Sequence, residues 1–146
     1  MAPFVQSKFL QMLEDWNKLH LDGQQSVDSD VRLIAACNVP LQQLIAQGKM
    51  RADLYYRINV VPIQVLPLRE RAADIPLLIG DFLRWHPIAI QKHIVGVSSG
   101  TIARLIQYPW PGNIRELQNV LEKAIVLTKD SVIDNIDLPS TNIRVN

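Results

Sequence analysis

At Pro67 the chain changes its hydrophobic period, and that change constrains the fold more than any other feature of the 146-residue sequence. Between residue 20 and that proline, the strongest apolar stretches are short runs, VRLIAAC at 31–37 and VVPIQV at 60–65, set among polar residues. After it, apolar residues recur every three or four positions, the spacing of one helix face. The pattern predicts a piece of α/β structure through about residue 66, a boundary near 67–73, and an all-helical unit beyond.

Each part can be read locally. Val5, Phe9, Met12, Leu13, Trp16 and Leu19 predict an amphipathic helix over 5–19. Residues 20–30, with Asp22-Gly23, read as an exposed loop. The run 31–37 suits a strand covered on both faces. Pro40 suits a first helical position, Leu41, Leu44 and Ile45 an apolar stripe, and Gly48 a stop. In 60–65, Pro62 lacks a ladder donor and points to an edge strand. Three helices follow. Asp74 is placed to cap the first, with Ile75, Leu78, Ile79, Phe82 and Trp85 on one face. The second begins at Ser98 or Ser99 and buries Ile102, Leu105 and Ile106; the third follows Pro111-Gly112-Asn113 and buries Ile114, Leu117, Val120, Leu121 and Ala124. Residues 139–146 read as a frayed tail.

Composition excludes several classes. With 48% apolar and 20% charged residues the chain is neither disordered nor a membrane protein, and no apolar run is long enough to span a bilayer. A net charge of +1 implies no broad basic surface for duplex DNA. The single cysteine, Cys37, makes neither an internal disulfide nor a multi-cysteine zinc site, and it reads as a small packing residue. The start MAPFVQSK lacks signal-peptide character, so a cytoplasmic location is expected. A phosphate-cradling P-loop is missing, since Gly48-Lys49 has Gln43 where a glycine is needed and Met50 where a hydroxyl is needed. His20, His86 and His93 lack partners at metal-ligand spacing, and no metal site is expected.

Cations stand out instead. Lys49, Arg51, Arg57, Arg69 and Arg71 face only Asp53 and Glu70 within 49–71, a local excess of three positive charges that favours an anionic partner. The plainer alternative pairs Asp53 with Arg57 at i, i+4 and Glu70 with an arginine. Arg115 lies in the first turn of its helix, where the helix dipole disfavours a cation, so it serves either an anion or a salt bridge with Glu116. Asn38 follows the buried run, at the edge where open α/β sheets place ligands, or else it caps the turn before Pro40.

VRLIAACN (31–38), RADLYYRINVVPIQVLPLRERAADIPLL (51–78) and WPGNIRELQNVLEKAIVL (110–127) together closely resemble the C-terminal part of the sigma-54 interaction domain. That domain is the AAA+ ATPase module of bacterial enhancer-binding transcriptional activators. VQSKFLQMLE (5–14) resembles the family helix preceding them, so the resemblance runs from about residue 3 to 139. It implies an α/β fold class: a partial AAA+ α/β subdomain over 1–70, a helical lid over 71–139, and a tail at 140–146. It implies sensor I at Asn38, arginine fingers acting in trans at Arg51 and Arg57, and sensor II, contacting ATP phosphate, at Arg115. Cys37 stands where the family usually has Thr, and Met50 where it commonly has Phe.

The implied activity is ATP hydrolysis by a ring that remodels sigma-54 RNA polymerase for open-complex formation. ATP with Mg is the cofactor of the intact domain, and neighbouring AAA+ subunits in a homo-oligomeric ring are the partners. In the family, Walker A, Walker B and the GAFTGA loop that contacts sigma-54 precede the segment present here, and a helix-turn-helix for DNA commonly follows it. None is in this sequence. A fragment is therefore expected, inactive alone, binding no nucleotide tightly, and self-associating through apolar sheet surface. The competing reading is a non-enzymatic helical protein- or DNA-binding module, with 98–127 as a helix-turn-helix, although that stretch carries an excess of only one positive charge.

Overall fold

The structure, a computed structural model, describes residues 2–19 and 32–139. The chain forms two compact units, divided between Ile63 and Gln64.

In the first unit, helix α1 (Pro3–Leu19) packs on helix α3 (Ala52–Ile58), and helix α2 (Leu41–Ala46) precedes α3. The expected α1 is present, with Leu13 buried and Phe9 half-buried, but Val5 and Met12 are exposed. Pro40 is the N-cap of α2 rather than its first residue. Gly48 ends α2 as anticipated. Its φ of +65° needs a residue without a Cβ, and it lets Gly48 N–H donate to Ile45 O (2.9 Å) and Lys49 N–H to Leu44 O (2.9 Å), the paired bonds of a Schellman turn.

Both strand expectations are corrected. Residues 32–37 and 60–66 form no strand, and Ile34 and Ile63 are 80% and 84% exposed. A β run is stable only when neighbouring strands take its N–H and C=O groups, and among the described residues no strand lies beside either segment. The loop expected at 20–30 and the tail at 140–146 lie outside the described residues.

The second unit is helical, as its period requires. Two 3-10 turns (Leu68–Glu70 and Ala72–Asp74) lead into α4 (Ile75–Trp85), followed by α5 (Pro87–Gln91), α6 (Ser99–Gln107) and α7 (Asn113–Leu127). Their apolar faces share one core that includes Leu68, Ile75, Ile79, Leu105, Leu117, Leu121 and Ile125. Ser98 caps α6, its Oγ accepting from Thr101 N–H at 3.4 Å. Asp74, by contrast, makes no side-chain cap bond, because it belongs to the preceding 3-10 turn. Trp85 is 70% exposed rather than packed. Ten residues beyond Ile75 the helix has turned by about 1000°, past the edge of the buried stripe, and Leu83 takes the core place instead. Ile106 leaves the core of α6 for the same reason.

Helix α5 and a minimal parallel sheet were not expected. Strand β1 (Gly96–Val97) pairs with β2 (Val132–Ile133) in the register Gly96 to Val132 and Val97 to Ile133. Two-residue strands are too short to show a period. The Lys92 ammonium closes the far end of α7, donating to the carbonyls of Ile125 (3.0 Å), Val126 (2.7 Å) and Thr128 (2.9 Å). A cation suits this end of the dipole. Lys92→Met, which keeps the stem but removes the donors, is expected to cost about 1 to 2 kcal/mol, read as a lower midpoint in thermal unfolding.

Candidate functional site

Helix α3 carries two of the singled-out arginines. Arg51 is its N-cap residue and Arg57 lies in its last turn, about 9 Å further along the axis at 1.5 Å per residue. The Arg51 guanidinium is held: Nη2 donates to Asp53 Oδ2 at 2.7 Å, Nε to Oδ1 at 3.0 Å, and Nη1 to Ser7 Oγ at 3.1 Å. The hydrogen bond and charge of Asp53 raise the Arg51 pKa further, and the Arg51 hydrogen bond foremost holds the Asp53 carboxyl below its usual range. The backbone is held too, Arg51 N–H donating to Gln6 Oε1 at 2.9 Å.

Arg57 differs. It is exposed, and among the described residues no carboxylate pairs with it. The expected local pairing is thus only half realised, since Glu70 pairs with Arg69 at 3.2 Å while Asp53 turns back to Arg51. Asn38 lies in the same unit, exposed in a bend before Pro40. Neither a strand tip nor a side-chain cap on α2 holds it.

Arg115 belongs to the second unit, third residue of α7 and exposed. Glu116 does not pair with it. That carboxylate reaches back over the helix start, accepting from Gly112 N–H at Oε2 (2.8 Å) and from the Tyr108 hydroxyl at Oε1 (3.1 Å). Gly112 is required by this closure, because a Cβ there would stand 2.8 Å from the Cβ of Glu116. Asn113, at φ 53°, accepts from Leu68 N–H through Oδ1 at 2.8 Å. The first turn of α7 is therefore tied down on two sides while Arg115 points to no acid among the described residues.

Burial first, and then the Glu116 carboxylate, raise the Tyr108 pKa above 10.0. The fold favours the neutral phenol, so the stabilisation is complete below the unfolded value near pH 10 and is lost as pH rises through the raised folded value. Stability of the second unit is expected to decline in that alkaline window, and Tyr108→Phe to flatten the decline, as chemical unfolding at stepped pH would show.

Gln6, Ser7, Tyr108 and Glu116 were not anticipated as parts of these arrangements. One signal was present: Gln6 stands in helical register with Phe9 and Leu13, a polar residue on an apolar stripe. Among the described residues no group of acidic, histidine or cysteine side chains could hold a metal ion.

Comparison with known proteins follows the two parts of the chain. Residues 1–64 match the model of the sigma-54 interaction domain, and residues 69–144 that of the AAA+ ATPase lid domain. The nitrogen fixation protein AnfA of Azotobacter vinelandii is 41% identical over 139 residues, covering 95% of this chain and 26% of its own length. The sigma54-dependent transcriptional activator SfnR of Pseudomonas putida is 38% identical over 141 residues, covering 97% of this chain and 38% of its own. The chain thus spans about a quarter to two-fifths of the length of these relatives. The crystal structure of NtrX from Brucella abortus in complex with ATP aligns with a TM-score of 0.70 at 36% identity, over 88% of this chain and 30% of that one. The α/β fold class with a helical lid, expected from the sequence, holds at this level even though two local strands do not form. The chain belongs to the sigma-54 interaction domain family of AAA+ proteins, and its residues are those of the C-terminal part of that module.

Proposed function

We propose that this chain supplies the phosphate-sensing and subunit-coupling residues of a sigma-54-dependent activator whose AAA+ ring hydrolyses ATP to remodel sigma-54 RNA polymerase. Residues 1–70 contribute a partial α/β subdomain with Asn38 as sensor I and with Arg51 and Arg57 as fingers reaching a neighbouring subunit's nucleotide. Residues 71–139 contribute the lid, with Arg115 as sensor II on ATP phosphate, and 140–146 a tail. One observation supports this most: Arg57 and Arg115 are exposed cations without a carboxylate partner among the described residues, in a chain similar to named activators. Phosphoryl transfer spreads negative charge over the γ-phosphate oxygens, and a guanidinium fork answers it with paired hydrogen bonds.

ATP with Mg serves the intact module, and this chain alone holds nucleotide weakly, since it carries no P-loop. Partners are neighbouring copies in a homo-oligomeric ring, sigma-54 RNA polymerase through a loop not in this sequence, and DNA through a separate domain. The setting is cytoplasmic; no helix among the described residues is long and apolar enough to cross a membrane. Exposed Ile34, Val60, Val61 and Ile63 support self-association of the isolated chain. The helix-turn-helix alternative is set aside because 98–127 falls inside the lid-domain match.

The test is reconstitution. The chain alone is expected to turn over no ATP, and joined behind the Walker-motif half of a family module it is expected to give ATP-dependent open complexes with sigma-54 RNA polymerase. Turnover by the chain alone, or none by a folded, joined module, contradicts the proposal.

A further inference from the structure

We propose that Gln6 is a positioning residue for Arg51, fixing from helix α1 the backbone on which that arginine is carried; this rests on the assignment of Arg51 as a finger. Gln6 is 3% exposed, on the face of α1 that meets α3. A leucine there would complete the apolar stripe of Phe9 and Leu13. The chain instead buries an amide, which is costly unless both of its ends find partners.

Both do. Nε2 donates to Lys49 O at 2.8 Å, and Oε1 accepts from Arg51 N–H at 2.9 Å, so the amide brackets Met50 as a strand neighbour would. These partners lie 43 and 45 residues away in sequence. They are the carbonyl just after the Schellman turn of α2 and the N–H just before α3, groups that neither helix uses. The next residue on α1, Ser7, takes Nη1 of Arg51, and Asp53 takes Nε and Nη2. Arg51 is thereby fixed from backbone to guanidinium, and the first turns of α1 are its mount. Arg57 has no such clamp among the described residues and is placed by α3 alone. A buried side chain that spends one end on the finger's own N–H and the other on the carbonyl two residues before it restricts where that finger stands, and small misplacements of a reacting group cost rate steeply.

Gln6→Met preserves length and burial and removes both bonds. In the full chain, exchange of the Arg51 amide hydrogen with solvent is expected to speed up at least about tenfold while amides in the last turn of α3, in the same unit, keep their rates. In the joined module, Gln6→Met is expected to lower kcat for ATP roughly tenfold with KM unchanged, yet to change nothing further once Arg51 is Ala. Unchanged exchange at Arg51, or losses that add to those of Arg51→Ala, overturn the clamp. Full turnover by Arg51→Ala itself overturns the finger assignment, and with it the catalytic purpose of the clamp, while the exchange measurement separately reads the clamp. A loss of fold in the first unit would accelerate the last turn of α3 as well and lower kcat equally in both backgrounds, which counts against a positioning role.

Discussion

Arg57→Ala is expected to lower the kcat of the joined module by about a thousandfold or more, the range an arginine finger contributes to phosphoryl transfer. ATP affinity should change little, because the finger acts on a neighbouring subunit's nucleotide and on charge that develops in the transition state. The two arginines of this one short helix differ in their partners. Arg51 gives three of its donors to Asp53 and Ser7, whereas the Arg57 fork meets no acid among the described residues and is available without breaking a pair. Arg51→Ala is accordingly expected to cost less, about a hundredfold, the low end of what one preorganised donor contributes. Arg57→Lys should not rescue, since an ammonium does not reproduce the planar fork. Steady-state ATPase kinetics of the three variants decide this; equal losses for Arg51→Ala and Arg57→Ala would show that the Asp53 pair has no bearing on finger use.

Trp110→Ala carries the largest expected effect on stability. Trp110 is fully buried, its Nε1 donates to Leu105 O at 2.8 Å, and its ring meets Tyr108 edge-on with centroids 4.8 Å apart. It also sits at φ 47°, where a side chain is tolerated only because its surroundings require it. Removing the indole takes away core volume and leaves Leu105 O with only the longer bond from Tyr108 N–H (3.4 Å), a loss of about 3 to 5 kcal/mol. For a unit of this size that is most or all of its stability. Denaturant unfolding of Trp110→Ala should show a second unit that is unfolded or nearly so in buffer. Trp110→Phe should lie in between, keeping an aromatic contact and losing the N–H. A cooperative transition for Trp110→Ala within about 1 kcal/mol of wild type would remove Trp110 from the centre of the lid.

These two predictions mark where the sequence was legible and where it was not. The lid helices could be read because their burial is local: α6 with its Ser98 cap and α7 with Leu117, Val120, Leu121 and Ala124 write the period of three and four directly into the chain. The runs 31–37 and 60–65 have strand composition, but a strand is completed by neighbours, and sequence composition does not supply them. Trp85 fell outside the core because ten residues of helix rotate past a stripe that a shorter count still includes. Lys92 and Gln6 were illegible for a different reason. Their partners lie more than thirty residues away and are backbone groups, which carry no side-chain signature. The proposed site residues rest on resemblance of motif, with Arg115 also noticeable on physical grounds as a cation at a helix start. That Glu116 ignores Arg115 and closes over Gly112 instead could be known only from the fold.

The central claim is that Arg51 and Arg57 serve a nucleotide held by another subunit, and mixing tests it most directly. One joined module would carry Arg57→Ala with an intact Walker lysine, and the other an intact Arg57 with its Walker lysine replaced. Each alone is expected to be inactive, and the mixture to regain ATP turnover, rising with the fraction of mixed neighbours. A mixture as inactive as its parts, or full turnover by the Arg57→Ala module on its own, would contradict the account.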